Sequence, residues 1–163
     1  MKKLILSSLI KERYRRGVGM MIINSKKEIF LGQRFDKDKS AWQMPQGGID
    51  RGENEIVALK REMFEETGIK KDYKIIYKSN KYFYYKLPQY LQKRLWKGRF
   101  VGQKQKWFLL EYFGDDQNIN IKTKKPEFLD WKWIDLKDLT KIAVSFKLDV
   151  YKNLKQEVSK ILT

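Results

Sequence analysis

The stretch that decides the reading runs Gly47-Gly48-Ile49-Asp50-Arg51-Gly52-Glu53, then Asn54 to Lys60, then Arg61-Glu62-Met63-Phe64-Glu65-Glu66-Thr67-Gly68-Ile69. Pro45–Gly52 reads as a loop with three glycines able to take backbone angles other residues avoid. From Glu53 to Thr67 the pattern turns helical, with Ile56, Leu59 and Met63 at three- and four-residue spacing and Gly68 as a C-terminal cap. On that helix Glu62, Glu65 and Glu66 project from one side. Glu62 and Glu66 form a like-charge pair at four-residue spacing. Such a pair destabilises a free helix by roughly 0.2–0.5 kcal/mol, and no cation lies four residues from Glu62. Mutually repelling hard oxygens are useful where a divalent cation sits among them. A solvated acidic face is the plain alternative, and a bare three-acid cluster would favour it. The glycine loop tilts the balance, because a tight Gly47-Gly48 turn brings backbone carbonyls near the helix start.

Outward from this stretch, Val18–Ile23 is an apolar β-type run. Asn24–Lys27 reads as a turn and Glu28–Gln33 as the returning strand of a hairpin. Trp42–Met44 is short and extended. Lys74–Tyr77, Lys81–Lys86, Lys106–Phe113 and Phe128–Ile134 read as further strands, and Ile142–Leu162 as an amphipathic helix. Strands flanking one helix and closing on another predict an α/β sandwich. No repeat or flexible linker divides the chain. Its 163 residues therefore predict one domain, residues 14–163, preceded by a short extension, residues 1–13.

Composition limits the chemistry. The chain has no His and no Cys, which excludes imidazole bases, Ser-His-Asp and Cys-His catalysis, thiolate metal sites and disulfides. Carboxylates, Lys, Tyr or a bound cation remain. The net charge is +16, which points to an anionic partner, with lysine-rich solubility as the alternative. Its distribution is uneven. Residues 81–110 carry eight basic and no acidic side chains, whereas residues 51–80 carry seven and six. The apolar run Leu4–Ile10 is too short and too serine-containing for a signal peptide, and nothing approaches the roughly 20 apolar residues of a membrane span. A cytoplasmic protein with no membrane partner is expected.

Gly47, Glu53, Arg61, Glu62, Met63, Glu65, Glu66, Gly68 and Ile69 resemble the Nudix box, G-x5-E-x7-R-E-U-x-E-E-x-G-U, at every fixed position. The resemblance implies an α/β/α sandwich with a mixed central sheet and hydrolysis of nucleoside diphosphates linked to another group. Glu62, Glu65 and Glu66 would bind Mg²⁺, with Mn²⁺ able to substitute, and the Gly47 carbonyl would add a ligand. Arg61 and Glu53 would hold loop and helix together, beside Gly48 and the Gly68 cap. Tyr14-Arg15, Trp42–Gly48, Gly102–Phe108, Pro126–Phe128, Trp131–Trp133, Val144–Lys147 and Asp149–Tyr151 are similar to the RNA pyrophosphohydrolase branch of the family. By that resemblance Arg15 and Arg34 contact phosphates, Phe146 and Lys147 lie near the leading nucleotides, and Glu127 is a further metal ligand or the group that handles the attacking water. Lys104 and Lys106 are added phosphate candidates, and Trp42 and Tyr85 candidate faces for a base. A metal-dependent hydrolase of RNA 5′-triphosphate ends is expected, serving RNA decay. The alternatives are a dinucleoside polyphosphate hydrolase, a catalytically silent RNA-binding module and an oxidised-nucleotide sanitiser. An activating protein partner is left open.

Overall fold

The computed structural model describes Leu4, residues 13–35 and residues 41–162. Most of the expected extension, residues 1–13, falls outside the described residues.

Strand β1 (Tyr14–Ile23) is buried at every position from Gly17 onward, so it requires neighbours on both edges and cover on both faces. One edge pairs in parallel with β7 (Gly102–Tyr112), from Tyr14 beside Gly102 to Ile23 beside Glu111. The other edge is shared. The turn at Asn24–Lys27 forms, its Asn24 side chain accepting from the backbone of Lys26 and Glu28. Yet β2 (Ile29–Arg34) pairs with β1 only at Ile23–Ile29. The remainder of that edge belongs to β4 (Gln46–Gly48), which pairs with Gly17–Gly19, and to the Pro45 carbonyl, which accepts from Met20. The expected hairpin therefore splays after one pair, and the expected loop contains a strand. β2 turns instead to β3 (Trp42–Gln43) and β8 (Phe128–Ile134). β5 (Tyr73–Lys78) and β6 (Phe83–Lys86) complete the sheet as antiparallel partners of β7.

Alternation along β1 sends Val18, Met20 and Ile22 to one face, where they meet Ala58, Leu59 and Met63 of α1 (Glu55–Thr67). Met21 and Ile23 point the other way, into a core with Val150, Tyr151, Leu154 and Val158 of α3 (Leu148–Leu162). The result is a mixed sheet between helices. Helix α1 begins two residues later than its pattern suggests, because the Asn54 side chain accepts from Val57 and caps it. Its buried stripe uses Ala58 in place of Ile56, which is exposed. Gly68 ends it at φ 73° with its N–H on the Phe64 carbonyl. Helix α3 starts at Leu148, not Ile142. Ala143 is drawn into a bridge with Trp42, and a 3-10 turn at Ser145–Lys147 intervenes. A helix absent from the sequence reading, α2 (Gln89–Arg94), lies between β6 and β7.

Candidate active site

Helix α1 enters against β4, and one guanidinium clips them together. Arg61 donates from Nε and Nη2 to the two oxygens of Glu53, each at 2.8 Å. Nη2 also donates to the Gly48 carbonyl at 2.9 Å, and Nη1 to Glu62 at 2.8 Å and Glu65 at 3.3 Å. Glu53 in turn accepts from the Asp50 N–H at 2.8 Å. The Arg61 fork holds the Glu53 carboxyl down at about 2, against an ordinary 4.5, while burial works the other way. The cation that four-residue spacing denies to Glu62 comes from its immediate neighbour.

The three helix acids differ sharply in environment. Glu65 is exposed and Glu62 nearly buried, and Glu66 is buried outright. Burial is the main force pushing Glu62 up to about 7, with Glu65 adding to it and Arg61 and Arg15 opposing it. Burial also raises Glu66 well above its ordinary value, and the charges of Glu62 and Glu127 push the same way. The Gln46 N–H, donating at 3.0 Å, and the charge of Lys147 act against that rise.

These acids form one wall of a cleft of about 310 Å³. The cleft also contains Arg15, Arg34, Gly47, Gly48, Tyr85, Glu127, Phe146 and Lys147. Lys147 is buried, donates to Gln43 Oε1 at 2.6 Å and lies 5.4 Å from the Tyr85 ring. Arg34 reaches the same Gln43 oxygen at 3.3 Å. Arg15 stands over the Trp96 ring at 5.1 Å.

Three expected substrate contacts lie elsewhere, for one reason. Successive strand residues face opposite sides. Gln103 lines the cleft and the buried Gln105 bonds Gln46 from the same side, so Lys104 and Lys106 point away, to the Tyr82 ring at 5.5 and 4.7 Å. Likewise Gln43 faces in and Trp42 faces out, beneath the Lys132 ammonium at 4.1 Å. The Gly47 carbonyl is directed at β1, beside Gly17, so what Gly47 gives the acids is room. A Cβ there would collide with the Glu62 carboxylate.

Two groups escaped the sequence reading. One is an amide chain in which Gln105 Nε2 donates to Gln46 Oε1 at 3.1 Å and Gln46 Nε2 to the Tyr85 hydroxyl at 3.0 Å. Two glutamines at alternate positions of a lysine-rich strand were the available signal, since solvated faces do not need them. The other is the wall of Leu87, Leu91, Leu95 and Trp96, whose leucines recur at every fourth residue.

Does this donor set suit a hard cation? Among the described residues no three carboxylates are drawn together as a finished cage, because Glu62 and Glu65 are turned to Arg61. The chemistry nevertheless fits. The donors are all oxygen, and a buried Glu66 repelled by two neighbouring acids gains from a divalent charge beside it.

An acidic helix face opposed by arginines and a buried lysine, under a mixed sheet, marks a hydrolase that works on phosphate groups. The NUDIX domain model matches residues 13–154, and the chain belongs to that family of divalent-metal-using pyrophosphohydrolases. It is 47% identical over 148 residues to an RNA pyrophosphohydrolase of Pelagibacter ubique (strain HTCC1062), covering 91% of this chain and 93% of that protein. The C. elegans Ap4A hydrolase binary complex superposes with TM-score 0.66 at 23% identity, covering 90% of this chain and 98% of that one. The E. coli dihydroneopterin triphosphate pyrophosphohydrolase does so with TM-score 0.68 at 20% identity, covering 88% and 98%. At those identities the two structures show the fold alone.

Proposed function

We propose that the chain hydrolyses the 5′-triphosphate or diphosphate end of RNA to a 5′-monophosphate and so exposes transcripts to decay. The observation that carries this is the cleft itself. Four glutamates face Arg15, Arg34 and Lys147 across it, and Tyr85, Phe146 and Trp96 form an aromatic border. That arrangement suits a polyphosphate with a base attached. The likeness to an RNA pyrophosphohydrolase over nearly the full length of both chains supports RNA as the substrate.

Glu62, Glu65 and Glu66 would hold Mg²⁺, with Mn²⁺ as a substitute, since both accept oxygen donors. When bound, such a cation neutralises phosphate charge and acidifies water. The chain's own groups supply the rest. Arg15 and Arg34 bind phosphate oxygens through their planar forks, and Lys147 adds a fixed charge from the buried side. Glu127, exposed at the mouth, orients the attacking water or accepts its proton. Arg61 and Glu53 hold the acids against the glycine loop without touching substrate.

We place residues 14–163 in one catalytic domain, with 1–13 as an extension, and the protein in the cytoplasm. The lack of cysteine is in keeping with that compartment, and among the described residues no helix is long and apolar enough to cross a membrane. Phosphate or pyrophosphate release from 5′-triphosphate RNA is the test, beside diadenosine tetraphosphate at equal concentration. Faster RNA hydrolysis, abolished in Glu65→Gln and Glu66→Gln, is expected. Preference for the dinucleotide would make the chain a dinucleoside polyphosphate hydrolase. RNA binding without hydrolysis in Mg²⁺ or Mn²⁺ would make it a silent binding module.

A further inference from the structure

Beyond the cleft, an open groove of about 1040 Å³ is lined by Arg13, Arg15, Arg16, Arg51, Arg99 and Lys104, with Tyr14 and Phe100 among them. The backbone builds it. The parallel β1–β7 register sets Arg16 beside Lys104, the Val101 N–H reaches the Arg13 carbonyl, and the Ile49 N–H reaches the Arg16 carbonyl. Three separate segments thus deliver their cations to one rim.

Composition argues against general solubility as the cause. The chain has eight arginines and 28 lysines. Five of those arginines line this groove and only one lysine does. A lysine-rich surface keeps a protein soluble, but the planar guanidinium is the group that pairs with phosphate bidentately and stacks on rings. Stacking is already in place, with Arg99 over Phe100 at 5.1 Å. Asp50 is the single acid among the lining residues, and it is shared with Arg61 at 3.4 Å. Arg15, at the start of β1, is among the residues lining both the groove and the carboxylate cleft, so the two adjoin there, on opposite faces of the strand.

We propose that this groove is a binding track for the sugar-phosphate backbone of single-stranded RNA downstream of the 5′ end held in the cleft. The proposal rests on the RNA reading above. Arg15 marks the junction. Arg16, Arg51, Arg99 and Lys104 contact successive phosphates without reading bases, so the track recognises chain length rather than sequence.

The test compares wild type with the triple variant Arg16→Ala, Arg51→Ala, Arg99→Ala on 5′-triphosphorylated RNAs of two and twelve unstructured nucleotides. The expected wild-type KM is about tenfold lower for the twelve-mer, and the variant loses that gain with kcat unchanged and dinucleotide kinetics intact. A second arm measures binding of a 5′-hydroxyl twelve-mer against salt. Its slope should flatten by about 2 in the variant, at roughly 0.7 per lost phosphate contact. A length-independent KM in wild type, or a variant that keeps the gain, overturns the track while leaving the function intact. Failure to hydrolyse any RNA overturns the function instead, and the hydroxyl-RNA arm then judges the track alone. If the triple variant does not fold, Arg99→Ala alone, outside the sheet, should cost about twofold to threefold in twelve-mer KM.

Discussion

Substituting Gly47 by alanine should disable the site while sparing the fold. Gly47 is not at positive φ, so its backbone accepts a side chain, but an ideal Cβ would stand 1.9 Å from Glu62 Cδ. Ordinary carbon–carbon contact is about 3.5–4.0 Å, so the carboxylate must retreat by about 2 Å. It is the free end of a flexible side chain and can swing without moving α1. Swinging breaks the 2.8 Å bond from Arg61, and a bond between charged groups contributes about 1.5–3 kcal/mol. That loss is already counted in the rise of the carboxyl from 4.5 to about 7, which burial drives against the pull of Arg61, and moving outward relieves the burial. The melting temperature should therefore fall no more than about 4 °C below wild type. Activity should suffer far more. A displacement of about 1 Å already costs about 100-fold in rate, so kcat/KM should fall at least that far, with weaker Mn²⁺ binding by calorimetry. Gly102→Ala is the contrast, because its Cβ would meet the backbone carbonyl of Tyr85, which cannot swing away. That variant should melt far below wild type. Unchanged turnover and metal affinity in Gly47→Ala, or a melt resembling Gly102→Ala, would refute the argument.

Glu66→Gln keeps an acceptor for the Gln46 N–H and deletes a charge that burial, Glu62 and Glu127 all disfavour. It should raise the melting temperature of the metal-free protein while abolishing turnover, a trade that calorimetry and product release measure together. Arg61→Lys replaces a fork serving Glu53, Glu62 and the Gly48 carbonyl with a single ammonium. It should cost about 2 kcal/mol in urea denaturation. The metal-free protein should show opposed pH dependences. Glu53, depressed to about 2, adds stability that is complete above pH 4.5 and lost as pH falls towards 2. Glu62, raised to about 7, binds a proton more tightly when folded, so stability declines as pH rises from 4.5 to 7. Added Mg²⁺ should reverse that second limb, since a cation replaces the proton. A flat profile from pH 4.5 to 7 without metal would contradict the burial of Glu62.

What the sequence made legible is what depends on local geometry. Three glutamates three and four residues apart share a helix face whatever surrounds them, and Gly68 ends that helix for a reason internal to it. Arg61 and Glu53 also fall within one turn of loop and two of helix. Legibility failed where long-range pairing decides. Lys104 and Gln103 are neighbours, and only the register of β7 against β1 says which of them sees the cleft, because a one-residue slip reverses every side chain. Ile56 satisfies the apolar period yet is exposed, since the sheet meets α1 along Ala58, Leu59 and Met63. The β1–β2 hairpin has its turn chemistry, but the edge it needed was taken by β4, a pairing between segments some thirty residues apart.

The three glutamates are often described by one motif, but their surroundings divide the work. Glu66 cannot turn to Arg61, being buried against the sheet and bound by the Gln46 N–H, so its carboxylate is fixed in place before anything binds. Glu62 and Glu65 share Arg61 Nη1, and recruiting either to a cation means leaving that nitrogen. Arg61 stays in place when they go, because Glu53 and the Gly48 carbonyl retain its other two nitrogens at 2.8–2.9 Å. The guanidinium therefore serves as a parking place for two acids and an anchor for the loop at once. Lysine, with one charge centre, can do only one of these. That double duty explains why a residue with no substrate contact should be an arginine here, and why its loss should lower stability and metal affinity together.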